Sequence, residues 1–123
     1  MFLCSEQAVA DMLAGDGDAI LFTSSSAAVR SDGPAHNSTG FSARGLARSL
    51  ARQLWPEGID VATVLVDDSV GVPDQRDWTD HPNEEWIHPD HVADTYWHVA
   101  NRHPNALTPE LDSGTHAADI SFV

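Results

Sequence analysis

The sequence has 123 residues, 41% of them hydrophobic, which is enough for one ordinary domain with a core. Nineteen Asp and Glu residues stand against six Arg and no Lys, so the net charge is −13. A surface this acidic repels nucleic acid and anionic lipid, which argues against both as partners. No apolar run is long enough to cross a membrane, and the single Cys4 indicates a cytoplasmic setting.

The charge balance also predicts a response to salt. Like charges on a small surface repel one another and destabilise the compact state unless salt screens them. Abundant Asp without any Lys is the pattern expected of a halophilic protein. An ordinary acidic protein is the alternative interpretation of the same composition.

The first elements are a helix and a short strand. Residues 2–14 have amphipathic helical spacing. The apolar side expected to face inward comprises Leu3, Ala8, Val9, Met12 and Leu13. Residues 19–23, AILFT, predict a short buried strand, and three serines follow it.

The middle of the chain predicts a long helix over residues 38–55 and then a strand. Leucines recur every four residues with alanines beside them: Leu46, Leu50, Leu54, Ala43, Ala47 and Ala51. Ser38 or Thr39 is placed to cap the start, and the sequence Trp-Pro-Glu-Gly at residues 55–58 ends the helix. The β-branched residues 59–66 predict a parallel strand that is covered on both faces.

The last third predicts one helix and one strand after a polar segment. Pro89 opens a helix over residues 90–101, because proline is tolerated in the first turn. The apolar residues expected to face inward are Val92, Tyr96 and Val99. Residues 106–111 predict an edge strand, since Pro109 suits an edge. Residues 113–123 are expected to form a flexible tail.

Four blocks of sequence resemble the short-chain dehydrogenase/reductase family, in that family's order. They are FLCSEQAVADML, AILFTSSSAAVR, GLARSLARQLWPEGIDVATVLVDDSV and IHPDHVADTYWHVANRHPNALTPELD. The resemblance implies an α/β fold, a partial Rossmann-like parallel sheet of about three strands with flanking helices. It also implies NAD or NADP as cofactor. The family's glycine-rich nucleotide loop belongs to a preceding half, so we expect residues 1–123 to be a single truncated domain.

The resemblance assigns candidate site residues at the ends of two strands. Ser25 stands where the family has its catalytic serine, at an edge where open α/β sheets bind ligands. A turn serine that bonds local backbone is the alternative. The loop after the second strand lies beside the nicotinamide in the family. Asp67, Ser69 and Val70 are therefore the candidate cofactor-binding residues.

The family's catalytic tyrosine and lysine, four residues apart, should open the long helix. Counting back from Gly45 puts His36 at the tyrosine position and Gly40 at the lysine position. Counting forward from the serines gives Ser38 and Ser42 instead, so neither count finds the pair. A histidine acts as an acid or base near neutral pH, which makes His36 a second catalytic candidate. A loop histidine that is merely exposed is the alternative.

Two further groups of polar residues are candidates for binding. One side of the predicted long helix carries Arg44, Arg48 and Arg52. These arginines suit phosphate binding, or they suit pairing with acids along the surface or across a dimer interface. We favour pairing. The second group is His88, His91, Asp94 and His98. His91 and His98 are two turns apart, about 10 Å along the helix axis, which is too far for both to bind one ion, so no metal site is predicted.

The resulting interpretation is a degenerate or truncated relative of NAD(P)-dependent oxidoreductases with little activity alone. Half of a split oxidoreductase, completed by another chain, is one alternative. A non-catalytic interaction module that dimerises is the other. In the family, helices matching residues 2–14 and 38–55 form a subunit interface, so we predict a homodimer through them. The open edge of the strand at residues 19–23 favours association as well.

Overall fold

A three-stranded parallel sheet lies at the centre of the computed structural model, which describes residues 1–16, 18–30, 33–71 and 86–117. Its strands, in sheet order, are β1 (Ala19–Ser24), β2 (Asp60–Val66) and β3 (Glu110–Ser113). The flanking helices are α1 (Phe2–Leu13), α2 (Pro34–Leu54) and α3 (Pro89–Ala100). The predicted α/β fold with three parallel strands is confirmed.

Strand β2 is the buried centre of the sheet. Residues 61–65 are at most 1% exposed, as expected for a β-branched strand covered on both faces. Phe22 of β1 lies opposite Thr63, which in turn lies opposite Glu110 of β3. Aligned residues of a sheet face the same side, so Glu110 joins the row of side chains that α2 covers.

Helix α2 begins earlier than predicted and ends where predicted. Gly33 precedes it in extended conformation, and Pro34 occupies the first helical position. The prediction that Ser38 or Thr39 caps the start was wrong, because both hydroxyls donate to the carbonyl of Ala35 inside the helix. At the other end a short 3₁₀ turn, Trp55–Glu57, leads into Gly58, whose φ of 84° is left-handed.

The inward face predicted for α1 was partly wrong. Val9 and Met12 pack against the core cluster, but Leu3 is 71% exposed and Leu13 is 49% exposed. Phe2 at the start of the same helix is 61% exposed. Helix α1 therefore covers the sheet with a narrow stripe and leaves apolar side chains outside.

Helix α3 follows the prediction closely. Val99 is fully buried and Val92 and Tyr96 are half-buried, so the inner face is the expected one. The phenol of Tyr96 is hydrogen-bonded to the Thr23 hydroxyl of β1, with 2.6 Å between the oxygens. None of the helices described here is long and apolar enough to cross a membrane.

Strand β3 starts later than the predicted residues 106–111. Ala106 donates to the carbonyl of His103 in a turn, and only from Pro109 onwards does the chain meet β2. Residue 113, predicted to begin the flexible tail, belongs to the strand, since its carbonyl accepts from Asp67 N at 2.9 Å. Residues 118–123 of that tail lie outside the described residues, as does Trp78 of the polar segment.

Candidate functional site at the carboxyl ends of the strands

The carboxyl ends of the three parallel strands meet at one edge of the sheet. Ser25 follows β1, Asp67 follows β2, and Thr115 lies two residues beyond β3. Open α/β sheets bind ligands at this edge. The candidate residues Ser25, Asp67, Ser69 and Val70 therefore come from the edge where a site is expected.

Ser25 begins a tight turn, residues 25–30, which we call the serine turn. Its Oγ accepts a hydrogen bond from the backbone N–H of Ala27 at 3.3 Å, so the hydroxyl caps the 3₁₀ helix Ser26–Ala28. This is the local role that serines often play in turns. The side chain is half-buried, and one of the two lone pairs of its oxygen accepts within the turn.

Asn37 fixes the serine turn to the start of α2, and sequence reasoning missed it. Its Oδ1 accepts from Gly33 N at 2.6 Å, while its Nδ2 donates to the carbonyls of Ala27 and Arg30. The Ala27 contact is 2.9 Å long, and Asn37 is only 8% exposed. Buried amides are normally satisfied in this way. An Asn in the first turn after Gly-Pro was the available signal.

Gly40 brings α2 into direct contact with the serine turn. A Cβ added at Gly40 would lie 2.6 Å from the carbonyl carbon of Ala27, closer than real side chains approach backbone. Only glycine fits this crossing without movement of the turn. His36, by contrast, lies exposed in the first turn of α2, so its predicted loop position was wrong. No hydrogen bond among the described residues joins His36 to Ser25.

Asp67 lies at this edge in an environment that raises the pKa of its carboxyl. Burial raises the pKa of its carboxyl, and the neighbouring carboxylates of Asp112 and Asp68 raise it further. The charge of Arg30 and a hydrogen bond from the Ser26 backbone N–H act in the opposite direction. Such a group is a candidate for function on physical grounds.

The loop after β2 is tied to the segment that precedes α3. Ile87 donates its N–H to the carbonyl of Ser69 at 3.0 Å, and Gly71 donates to the carbonyl of Ile87 at 2.9 Å. Val70 and Ile87 form a parallel bridge. The neighbouring Asp68 accepts from the N–H of Thr115 through Oδ2 at 2.8 Å. Ser69 and Val70 are thus held at the same edge as Asp67.

The arginine stripe pairs with an acid of the same chain. Arg44 makes two hydrogen bonds to Glu110, 2.7 and 2.8 Å long, and Arg48 lies 3.8 Å from the same carboxylate. The favoured pairing with acids is therefore present for these two residues, between α2 and β3. Arg52 is exposed near the end of α2.

The histidines near α3 serve a local role. His88 Nδ1 accepts from Asp90 N at 3.3 Å and caps the helix, and its ring lies 5.1 Å from that of His91. Within the described ranges, no group of three His, Cys, Asp or Glu residues is arranged to hold a metal ion.

Comparisons with known proteins are informative at the level of structure. No family model matches the sequence, and no curated protein matches it significantly. A short-chain dehydrogenase from Rhodopseudomonas palustris matches with a TM-score of 0.72 and 26% identity, over 90% of this chain and 44% of that one. Acetoin dehydrogenase YohF from Salmonella typhimurium matches with a TM-score of 0.68 and 20% identity, over 99% of this chain and 54% of that one.

The chain has the fold of the short-chain dehydrogenases. The resemblance inferred from the four sequence blocks is confirmed to that extent. The chain spans about half the length of these two solved structures. Within this short-chain-dehydrogenase-like fold, Asn37 and Gly40 lie against the serine turn, whereas His36 is exposed.

Proposed function

We propose that this protein is a degenerate relative of the NAD(P)-dependent short-chain oxidoreductases and has little oxidoreductase activity by itself. The observation that carries the proposal is the contact between Gly40 and Ala27. One count along the sequence puts Gly40 at the family's lysine position. A side chain there would collide with the serine turn, and the sequence contains no lysine at all.

The chemistry of the edge supports the same conclusion. Interconverting a carbonyl and an alcohol requires a group that donates or removes a proton at the reacting oxygen. Ser25 uses its hydroxyl oxygen within its own turn, and His36 is exposed on α2. These two candidates therefore form no acid–base pair.

A nicotinamide dinucleotide does not fit the described residues of this edge. NAD and NADP carry phosphates, which bind at backbone N–H groups of glycine-rich loops and helix N-termini. Here Asp67 and Asp68 follow β2, and Asp112 lies beside them on β3. Three carboxylates repel a polyanionic ligand. Arg30 compensates the charge of Asp67 only in part, and Ser69 and Val70 add no positive charge.

An activity assay tests the proposal directly. The wild type and the variants Ser25→Ala and His36→Ala are assayed with NADH and NADPH against small ketones, in multi-molar potassium chloride. We expect all three to give the background rate of a control variant, Asp94→Asn, which changes an exposed residue of α3. Turnover in the wild type that either substitution lowers tenfold or more would contradict the proposal.

The alternative that has an observation of its own is association with another chain, as half of a split oxidoreductase or as a dimerising module. Among the described residues, β1 pairs only with β2, so its outer edge is open. Phe2, Leu3 and Leu13 of α1 are exposed apolar side chains. A second copy that packs on α1 and α2 would cover them, as the predicted homodimer requires.

Sedimentation in high salt tests this alternative. We expect a dimer for the wild type and a folded monomer for Leu3→Asp, since Leu3 is exposed and its replacement spares the core. Asp94→Asn, at an exposed position of α3 away from α1 and α2, should remain dimeric. A folded wild-type monomer at high micromolar concentration would exclude homodimerisation. Oxidoreductase activity that appears only with a second chain would favour the split enzyme.

A further inference from the structure

Two tripeptides of the same kind lie at the two ends of α3. His-Pro-Asp occupies residues 88–90 and His-Pro-Asn occupies residues 103–105, and we call them the His-Pro turns. In each turn the imidazole Nδ1 accepts the backbone N–H of the residue two positions further on. The distance is 3.3 Å between Asp90 N and His88 Nδ1, and 3.2 Å between Asn105 N and His103 Nδ1. The two histidines therefore do what Asn and Asp side chains do in turns.

The proline explains why His88 is placed to cap α3. A residue before proline favours extended backbone, and His88 has φ −73° and ψ 128°. Pro89 follows in the first turn of the helix, where its missing N–H leaves nothing unsatisfied. The next N–H is that of Asp90, and it needs an acceptor from outside the helix. The ring of His88 supplies that acceptor.

Both His-Pro turns require a neutral imidazole. In a neutral ring one nitrogen donates and the other accepts, whereas both nitrogens of a protonated ring donate. A proton on Nδ1 therefore removes the acceptor that each turn uses. His88 and His103 are both exposed, so protons from solvent reach them directly. Histidine is the side chain that ordinarily changes its charge between about pH 5 and pH 8.

The charged groups around the two rings act mostly against protonation. The carboxylate of Asp90 favours it, since Oδ2 lies 3.9 Å from His88 Nδ1, but this ion pair is exposed and therefore weak. The ring of His91, with its centroid 5.1 Å from that of His88, repels the new charge when it is protonated as well. The N-terminus of α3 also disfavours a cation. No ion pair within the described residues includes His103, and the residue before it, Arg102, is itself positive.

We propose that the two His-Pro turns are proton-sensitive caps, which hold both ends of α3 when the imidazoles are neutral and open in acid. Their contribution to stability is present at neutral pH and is lost as the pH falls through the range in which the rings gain protons. Each turn adjoins a contact with the sheet. Ile87, before the first turn, donates to Ser69 in the loop after β2. Arg102, before the second turn, donates to Asp60 at the start of β2. Acid therefore loosens α3 next to both of these contacts.

Nuclear magnetic resonance from about pH 8 to about pH 5, at constant high salt, tests the caps. We expect the amide proton resonances of Asp90 and Asn105 to move with the same midpoint as the ring of the histidine that accepts from them. His88→Asn should abolish the movement at Asp90 and leave it at Asn105, and His103→Asn should do the reverse. The control His98→Ala, in the last turn of α3, should leave both movements unchanged.

A variant with both Asn substitutions separates the caps from the other acid effects on this protein. Asn is a good cap and gains no charge in acid, so the double variant should keep both turns throughout the titration. Over the same pH range, the folding equilibrium constant of the wild type should fall by about fivefold relative to that of the double variant. Urea unfolding at constant salt measures this difference.

Two results would overturn the proposal. The first is an amide resonance of Asp90 or Asn105 that stays constant while the ring of its histidine titrates. The second is an equal pH dependence of unfolding in the wild type and the double variant. If the double variant were to lose its fold, the titration of the wild type would decide the proposal by itself.

Discussion

Replacing Arg102 by alanine should remove a buried ion pair that joins the end of α3 to the sheet. Arg102 follows α3 and donates through Nη2 to Asp60 Oδ2 at 2.9 Å and to the carbonyl of Thr108 at 3.0 Å. Its Nε donates to the carbonyl of Val99 at 3.2 Å. The side chains of Arg102 and Asp60 are only 7% and 12% exposed. One guanidinium therefore joins α3, the start of β2 and the approach to β3.

The expected loss follows from leaving Asp60 buried without its partner. Removing one member of a buried ion pair costs about 3–5 kcal/mol, because the remaining charge stays desolvated. A domain of ordinary stability has about 5–15 kcal/mol in total, so Arg102→Ala should lose a large fraction of it. Salt screens buried pairs much less than exposed ones, so the loss should persist at high potassium chloride.

Urea unfolding followed by circular dichroism, at constant high salt, measures this loss. Arg52→Ala is the matched control, since Arg52 is exposed in the last turn of α2 and its removal should change stability by about 0.5 kcal/mol or less. Asp60→Asn should destabilise less than Arg102→Ala, because the amide oxygen can still accept from Arg102 and the carbonyls of Thr108 and Val99 remain partners of the buried guanidinium. Equal midpoints for Arg102→Ala and Arg52→Ala would refute this reasoning.

Two further predictions concern packing and charge. Gly40→Ala should destabilise the protein by about 1–3 kcal/mol, because the added Cβ meets the backbone of Ala27. Gly45→Ala, in open space on the same helix, should stabilise it by about 0.5–1 kcal/mol. Urea midpoints of the two variants that shift in the same direction would contradict the contact. The melting temperature should rise steeply with potassium chloride, because salt screens the net charge of −13. The Debye length falls from about 30 Å at ~0.01 M to about 3 Å at ~1 M. A melting temperature that does not change with salt would contradict the halophilic interpretation.

The sequence was sufficient for the elements whose local and tertiary preferences agree. The leucine and alanine spacing of α2, its end at Gly58 and the β-branched run of β2 all point to the observed structure. Strand β3 was misplaced because its start is set by pairing with β2 and by a turn at His103, not by its own composition. Helix α1 was misjudged because spacing alone could not show that Leu3 would be exposed.

The site was predictable only in its location. Family resemblance and strand order placed Ser25 and Asp67 at one edge of the sheet. The position of Asn37 after Gly-Pro indicates its bond to Gly33, but its bond to Ala27 depends on the three-dimensional approach of the serine turn. The same is true of Gly40, whose role is visible only because a Cβ added there would lie 2.6 Å from the Ala27 backbone. Both residues contact backbone groups of the serine turn, which lies earlier in the chain.

Isothermal titration of this chain with NADH and NADPH, in multi-molar potassium chloride, tests the central claim most directly. The claim has two parts: the chain has a short-chain-dehydrogenase-like fold, and the carboxyl ends of its strands do not bind the dinucleotide. The acids at those ends are Asp67, Asp68 and Asp112. We predict no saturable heat at low-micromolar cofactor, with circular dichroism showing that the protein remains folded. Saturable low-micromolar binding of either cofactor to the folded chain alone would contradict the account.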